Sequence, residues 1–268
     1  MTDVSRRKLL GTVGLAGAAM FGAVSERGHA SEGSPRKHSG KVLVVGAHPD
    51  DPETGCGGTI ARFSKEGHEV VILYLTRGEA GIPGKTLNEA AQLRTAECNE
   101  ACRILGARPV FAGQIDAASQ VTAAEYDRFK SIVQAEKPAH LFTHWPLDTH
   151  RDHRAASLLA YDAWLELGKS FDLYFYEVFS GIQTQGFSPT DYVDISSTEP
   201  RKRMAVFAHA TQNPNEMYIR HDTMSRFRGI EMCCEHAEAF IRHGLGSNAR
   251  SLLPLGNATS PPAAASKR

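Results

Sequence analysis

The sequence predicts an α/β protein: a mostly parallel, doubly wound sheet with helices on both faces, in a single domain. Two observations carry this. Short continuous aliphatic runs, such as residues 41–47 and 69–76, read as strands buried on both faces. Segments of helical periodicity separate them through short connections, and that alternation is the signature of parallel pairing. A third observation sets the scale. The chain has 268 residues, 41% hydrophobic and 22% charged, enough for one substantial core. Its formal net charge is zero, so nothing electrostatic argues for nucleic acid or an anionic membrane surface as a partner.

The elements follow in order. Ser5, Arg6, Arg7, Lys8, Leu9 and Leu10 form a twin-arginine pattern, followed by a small apolar run to Val24. That run is short of the ~20 residues a spanning helix needs. Gly28 and Ala30 put small residues at −3 and −1 of a cleavage site. Residues 1–30 therefore read as a twin-arginine signal peptide. The expectation is export to the periplasm or beyond, with no stable membrane insertion once the signal is cleaved. Residues 31–40 are a polar, flexible lead-in, 41–245 the folded domain, and 246–268 a disordered tail rich in Ala, Ser and Pro.

Within the domain, 41–47 is the first strand and 59–66 a helix ended by Gly67. A strand at 69–76 leads into a glycine-rich loop, 77–85, over the strand ends. The helix at 88–105 is capped by Asn88 and stopped by Gly106, with Ala90, Leu93, Ala96, Ala101, Ile104 and Leu105 marking a face. A short strand at 109–112 precedes a helix at 122–136, where Thr122 and Glu125 form a capping box. A strand at 139–143, a helix at 152–167 and a strand at 173–179 complete the alternation. Beyond Ser180 the pattern weakens to a strand at 191–195, a helix from 198 to about 209 with Pro200 in its first turn, and a helix at 227–242. The five cysteines contain no Cys-x-x-Cys pair, so they read as mostly structural.

Chemistry concentrates at two strand ends. After Gly46 come His48, Pro49, Asp50, Asp51 and Glu53. An imidazole and a carboxylate three residues apart on a turn stiffened by Pro49 can face one point, and both are ordinary metal ligands. Asp50 is then free to take a proton from water beside the metal. After the strand at 139–143 come His144, His150, Asp152 and His153. In a parallel sheet this end lies on the same rim as His48. His153 is the natural third ligand. His150 faces the open coordination position, where it could polarise a carbonyl, stabilise a tetrahedral intermediate or protonate a leaving amine. His144 reads as a packing or hydrogen-bonding residue. Gly55, Gly57 and Gly58 do not match a dinucleotide fingerprint, and the nearby acids would repel a pyrophosphate. No nucleophile elbow is present.

Taken together, Ala47 to Asp51, Glu53, Gly55 to Gly58, the loop Thr76 to Gly81, Arg94 with Glu97, and His150 with Asp152 and His153 resemble the PIG-L/LmbE family of zinc-dependent N-deacetylases. The resemblance implies a Rossmann-like fold and removal of an N-acetyl group from an N-acetylglucosamine-type sugar or glycoconjugate. It implies zinc, with iron(II) or cobalt as other ions the ligands suit, on His48, Asp51 and His153. It makes Asp50 the general base, His150 the oxyanion stabiliser or acid, Asp152 its orienting partner, and Arg94 a substrate contact. Pro52 stands where many members place Glu, and no tyrosine matches the one that assists before His150 in some relatives. Two other readings remain open: a metal hydrolase of another amide or an ester, and a sugar-binding relative without catalysis. Asp50 and His150 count against the last, since binding alone needs neither.

Overall fold

Aliphatic β-branched runs form the centre of a seven-stranded sheet, in a computed structural model that describes residues 40–244. The expected signal peptide, nearly all of the expected lead-in and the expected tail lie outside those residues. The chain runs β1 (Val42–Gly46), α1 (Asp51–Lys65), β2 (Val70–Tyr74), α2 (Leu87–Leu105), β3 (Arg108–Phe111), α3 (Ala123–Glu136), β4 (His140–His144), α4 (Arg151–Glu166), β5 (Asp172–Tyr176), β6 (Asp191–Asp194), α5 (Glu199–Phe207), α6 (Pro214–Met232) and β7 (Ala237–His243). The sheet order is β3-β2-β1-β4-β5-β7-β6. β1 to β5 pair in parallel, and β7 runs antiparallel to both β5 and β6. This is the expected α/β class, a Rossmann-like sheet in one domain, with an antiparallel edge.

The two-residue period of the strands divides the core. Val42 and Val44 face a layer with Cys56, Ile60 and Phe63 of α1, Cys98 and Cys102 of α2 and Ala205 of α5. Leu43 and Val45 face Phe129 and Val133 of α3 and Leu159 and Trp164 of α4. Cys56, Cys98 and Cys102 are buried free thiols, matching a structural role. Among the described residues, no helix is long and apolar enough to cross a membrane.

Three element readings change. The first helix begins at Asp51 rather than Thr59, so Gly55, Gly57 and Gly58 lie inside it. Glycine depresses helix propensity, which is why the start reads late, but here it permits close packing. A Cβ on Gly55 would lie 2.5 Å from the Tyr176 ring, and one on Gly58 2.6 Å from Ile195. The cap of α2 is Thr86, whose hydroxyl accepts the Glu89 N–H while Glu89 accepts the Thr86 N–H; Asn88 sits inside the helix and Leu93 faces solvent. The stretch 227–242 is not one helix. α6 ends at Met232, Cys233 adopts a left-handed conformation, and Ala237–His243 crosses to become β7.

Gly55→Ala should therefore destabilise the fold. The helix-propensity gain is roughly 0.5–1 kcal/mol. The clash falls on a ring whose hydroxyl donates to Val45 O at 2.9 Å, so it cannot retreat freely. Overpacking of this kind costs about 1–3 kcal/mol and should win. A lowered urea midpoint checks it; an unchanged or raised midpoint would mean the ring yields.

Candidate active site

The sheet reverses its winding between β1 and β4, since the chain proceeds from β1 outward through β2 and β3 and then from β4 outward through β5. At such a point the loops leave in opposite directions and a crevice opens at the carboxyl ends of the strands. Val44 lies opposite Phe142, so the two strands end side by side. His144, the last residue of β4, ties them: its Nε2 accepts the Ala47 N–H at 2.9 Å, and its ring stacks on His153 with centroids 4.0 Å apart. Burial depresses its pKa to about 4, with the neighbouring His153 adding to the effect, so the ring is neutral and free to accept.

The predicted metal ligands meet here. The turn from His48 to Asp51 closes on itself, with the His48 N–H donating to Asp51 Oδ2 at 2.8 Å. His48 Nδ1 lies 3.2 Å from that oxygen, and His153 Nε2 lies 3.3 Å from Asp51 Oδ1. All three side chains are buried. Pro52 sits in the first turn of α1, where its missing N–H costs nothing, and the ligand turn before it is undisturbed. His150 caps α4 from the solvent side, its ring 4.8 Å from His48 and 4.6 Å from His153.

Each of the two expected histidine ligands is held from behind. Asp148 Oδ2 lies 2.9 Å from His153 Nδ1, and its other oxygen accepts the His150 N–H at 2.7 Å. Burial opposes a charge on His153, but Asp51 and Asp148 outweigh it and lift its pKa to about 9. Asp152 departs from expectation. Its Oδ2 lies 3.3 Å from His48 Nε2 and accepts the Ala117 N–H at 2.8 Å. It therefore orients His48, not His150; only its backbone N–H reaches His150 Nδ1, at 3.3 Å. Asp116 Oδ1 reaches the same His48 nitrogen at 3.1 Å.

The expected base, Asp50, has its own frame. Asp50 lies at φ 116°, a region non-glycine residues avoid. Arg94 donates to its Oδ2 at 2.7 Å and to the Pro49 carbonyl. Arg94 is buried against the Asp50 carboxylate, so the expected substrate contact is not seen here. It passes Gly78 and Gly81, where any Cβ would come within 3 Å of it. Burial pushes the Asp50 carboxyl above its ordinary range, Arg94 pulls it back, and Asp51 adds to the rise.

Two imidazoles and a carboxylate, each imidazole backed by a second carboxylate, are a donor set that suits zinc or a similar divalent ion. Among the described residues three overlapping groups with ligand atoms within 4.8 Å share this site: His48 with His150 and His153, Asp51 with His144 and His153, and His48 with Asp116 and Asp152. A fourth, Glu199 with Asp222 and His236, lies elsewhere, and there Arg226 and Tyr218 already occupy the carboxylates. Asp148→Asn should weaken metal binding by roughly 10–100-fold, as loss of an outer-shell partner does. Chelator competition would measure it, and unchanged affinity would mean that His153 needs no such support.

Sequence reasoning did not single out Asp148, Asp116 or His209. The first two are isolated carboxylates in loops without periodicity. Asp148 carried one usable signal, a carboxylate in the strand-to-helix loop just ahead of the ligand histidine.

A strand-order reversal whose rim carries a metal donor set beside a half-buried carboxylate defines a metal-dependent enzyme of the α/β class. The family model described as PIG-L, GlcNAc-PI de-N-acetylase, matches residues 43–164. A diacetylchitobiose deacetylase from Thermococcus kodakarensis is 31% identical over 192 residues, 66% of this chain and 72% of that protein. The solved structure of the conserved protein TT1542 from Thermus thermophilus aligns with a TM-score of 0.67 at 31% identity, covering 81% of this chain and 99% of that one. GalB, the 4-carboxy-2-hydroxymuconate hydratase of Pseudomonas putida KT2440, aligns with a TM-score of 0.69 at 21% identity, covering 78% and 99%. The last likeness is one of fold alone, and it means that the reaction must be argued from the site. The chain belongs to the PIG-L family of deacetylases.

Proposed function

We propose that this metal-dependent N-deacetylase removes the N-acetyl group from an N-acetylglucosamine-type sugar or glycoconjugate, and that its ion is zinc. The observation that carries the reading is Asp50, a half-buried carboxylate adjoining a His/Asp/His donor set, with His150 on the solvent side. A divalent ion on His48, Asp51 and His153 would supply Lewis acidity, lowering the pKa of water and polarising an acyl oxygen.

The chain's own groups do the rest. Arg94 takes Asp50 Oδ2, which leaves the other oxygen to accept the proton of the attacking water. The raised Asp50 pKa improves it as a base. His150 Nδ1 accepts the Asp152 N–H, so the neutral ring carries its proton on Nε2. Burial lowers the His150 pKa, with His153 and His48 adding to it, and keeps that form. Nε2–H can then donate to the oxygen that gains charge as water adds to the acyl carbon. When the C–N bond breaks, acetate leaves and the amine takes the proton that Asp50 removed.

The sugar class rests on the relatives' names, including the diacetylchitobiose deacetylase. Acetate release from a panel of N-acetylated sugars, beside simple amides and esters, tests it. Turnover confined to N-acetylated sugars supports the reading, and preference for a simple ester would overturn it. The twin-arginine pattern at Arg6 and Arg7 supports export. A mature N-terminus just after Ala30, read by mass spectrometry of the exported fraction, is the expected result; a full-length chain retained in the cytoplasm would contradict it.

A further inference from the structure

We propose that His209 is a positioning residue for the general base, acting on Asp50 through the carboxylate of Glu53. This rests on the reading of Asp50 as the base. His209 follows α5 and lies outside the residues matched by the family model.

Asp50 needs restraint because its backbone sits in a conformation that costs a non-glycine residue energy and persists only when its surroundings enforce it. One restraint is its own N–H, which donates to Glu53 Oε2 at 3.2 Å. Glu53 is fully buried, so this oxygen is available only if the rest of the carboxylate is compensated. Two groups compensate it at Oε1. The Tyr74 hydroxyl donates at 2.5 Å, and His209 Nε2 lies 3.3 Å away, in ion-pair range when the ring is protonated but outside hydrogen-bond geometry. His209 is itself fully buried, and neither of its ring nitrogens has a hydrogen-bond partner among the described residues. The buried ring thus faces Glu53 with a charge contact and no hydrogen bond, which is a poor arrangement for stability alone.

The following residues fix where His209 can be. Thr211 donates through N–H and Oγ1 to the two oxygens of Glu97, at 2.8 and 2.7 Å. Gln212 donates to the Gly81 carbonyl at 3.3 Å, and Gly81 walls Arg94. One short segment thus reaches both restraints on the base: the backbone through Glu53, and the carboxylate through the loop that confines Arg94. Without His209, Glu53 keeps one neutral donor, turns from the Asp50 N–H, and the base loses its aim.

The test uses the metal-loaded enzyme. His209→Ala should lower kcat by about tenfold or more with KM and metal content unchanged, because aim rather than binding is lost. His209→Gln, whose amide can donate from the same place, should recover most of the loss. In a Glu53→Gln background, His209→Ala should cost nothing further. Tyr74→Phe keeps the ring stacked on Phe111 and removes the other donor, so it gives the same kcat-only loss should His209→Ala fold poorly. A kcat within twofold of wild type in both His209→Ala and Tyr74→Phe would overturn the proposal. So would losses that multiply with Glu53→Gln, or metal content falling in step with kcat, which would tie the network to Asp51. An inactive wild type would instead count against the function itself.

Discussion

Asp50→Ala is expected to lower kcat by about a thousandfold while leaving metal content as in the wild type, since a positioned general base contributes some 10²–10⁴-fold. The separation follows from geometry. The ligand contacts run through Asp51, His48 and His153, and none passes through the Asp50 carboxylate. Removing that carboxylate leaves Arg94 buried beside the Pro49 carbonyl without its anionic partner, so a modest fall in thermal stability should accompany the loss. Asp50→Asn keeps the hydrogen-bonding shape but cannot accept a proton, and should be equally inactive. Wild-type turnover in either variant would show that the water loses its proton elsewhere. Metal loss in both would show that Asp50 belongs to the ligand set.

His153→Ala should fail at the other step. Its Nε2 faces Asp51 and its Nδ1 is held by Asp148, so the ring spans from the donor set to the carboxylate behind it. Alanine removes one of the three expected ligands and leaves the buried Asp148 oxygen that faced it with only the Gln183 amide at 3.3 Å. The expected result is a protein purified with little metal, and an affinity reduced beyond the roughly 10–100-fold expected of an outer partner. Activity should return only as far as excess metal refills the site. Full metal content by elemental analysis would remove His153 from the ligand set. His144, stacked 4.0 Å away, would then be the residue to examine.

The first six strands and the two site loops were legible because each pairs a strong local signal with a fixed meaning. A continuous aliphatic run such as Val42 to Val45 has few alternatives to a buried strand, and the polar residues after it fall at the sheet rim by topology. The start of α1 was not legible, because Gly55, Gly57 and Gly58 suppress helical character for the sake of contacts with Tyr176, Lys202 and Ile195 more than a hundred residues away. The same limit explains β7. Its residues carry charge at Glu238, yet that side chain is buried, accepting from the Gly58 and Thr59 N–H groups and from Lys202 Nζ. Asp152 shows where the resemblance misleads: expected to orient His150 two residues away, it turns its carboxylate to His48, one hundred and four positions away. Partners across that distance are set by the fold, and local pattern does not contain them.

Zinc titration of the chelator-stripped enzyme, with acetate release from an N-acetylglucosamine oligosaccharide as the readout, tests the central claim most directly. The stripped protein should release no acetate, and activity should rise to a plateau at one zinc per chain. Acetate release at the full rate by protein free of metal, or none from any N-acetylated sugar at full zinc loading, would contradict the claim.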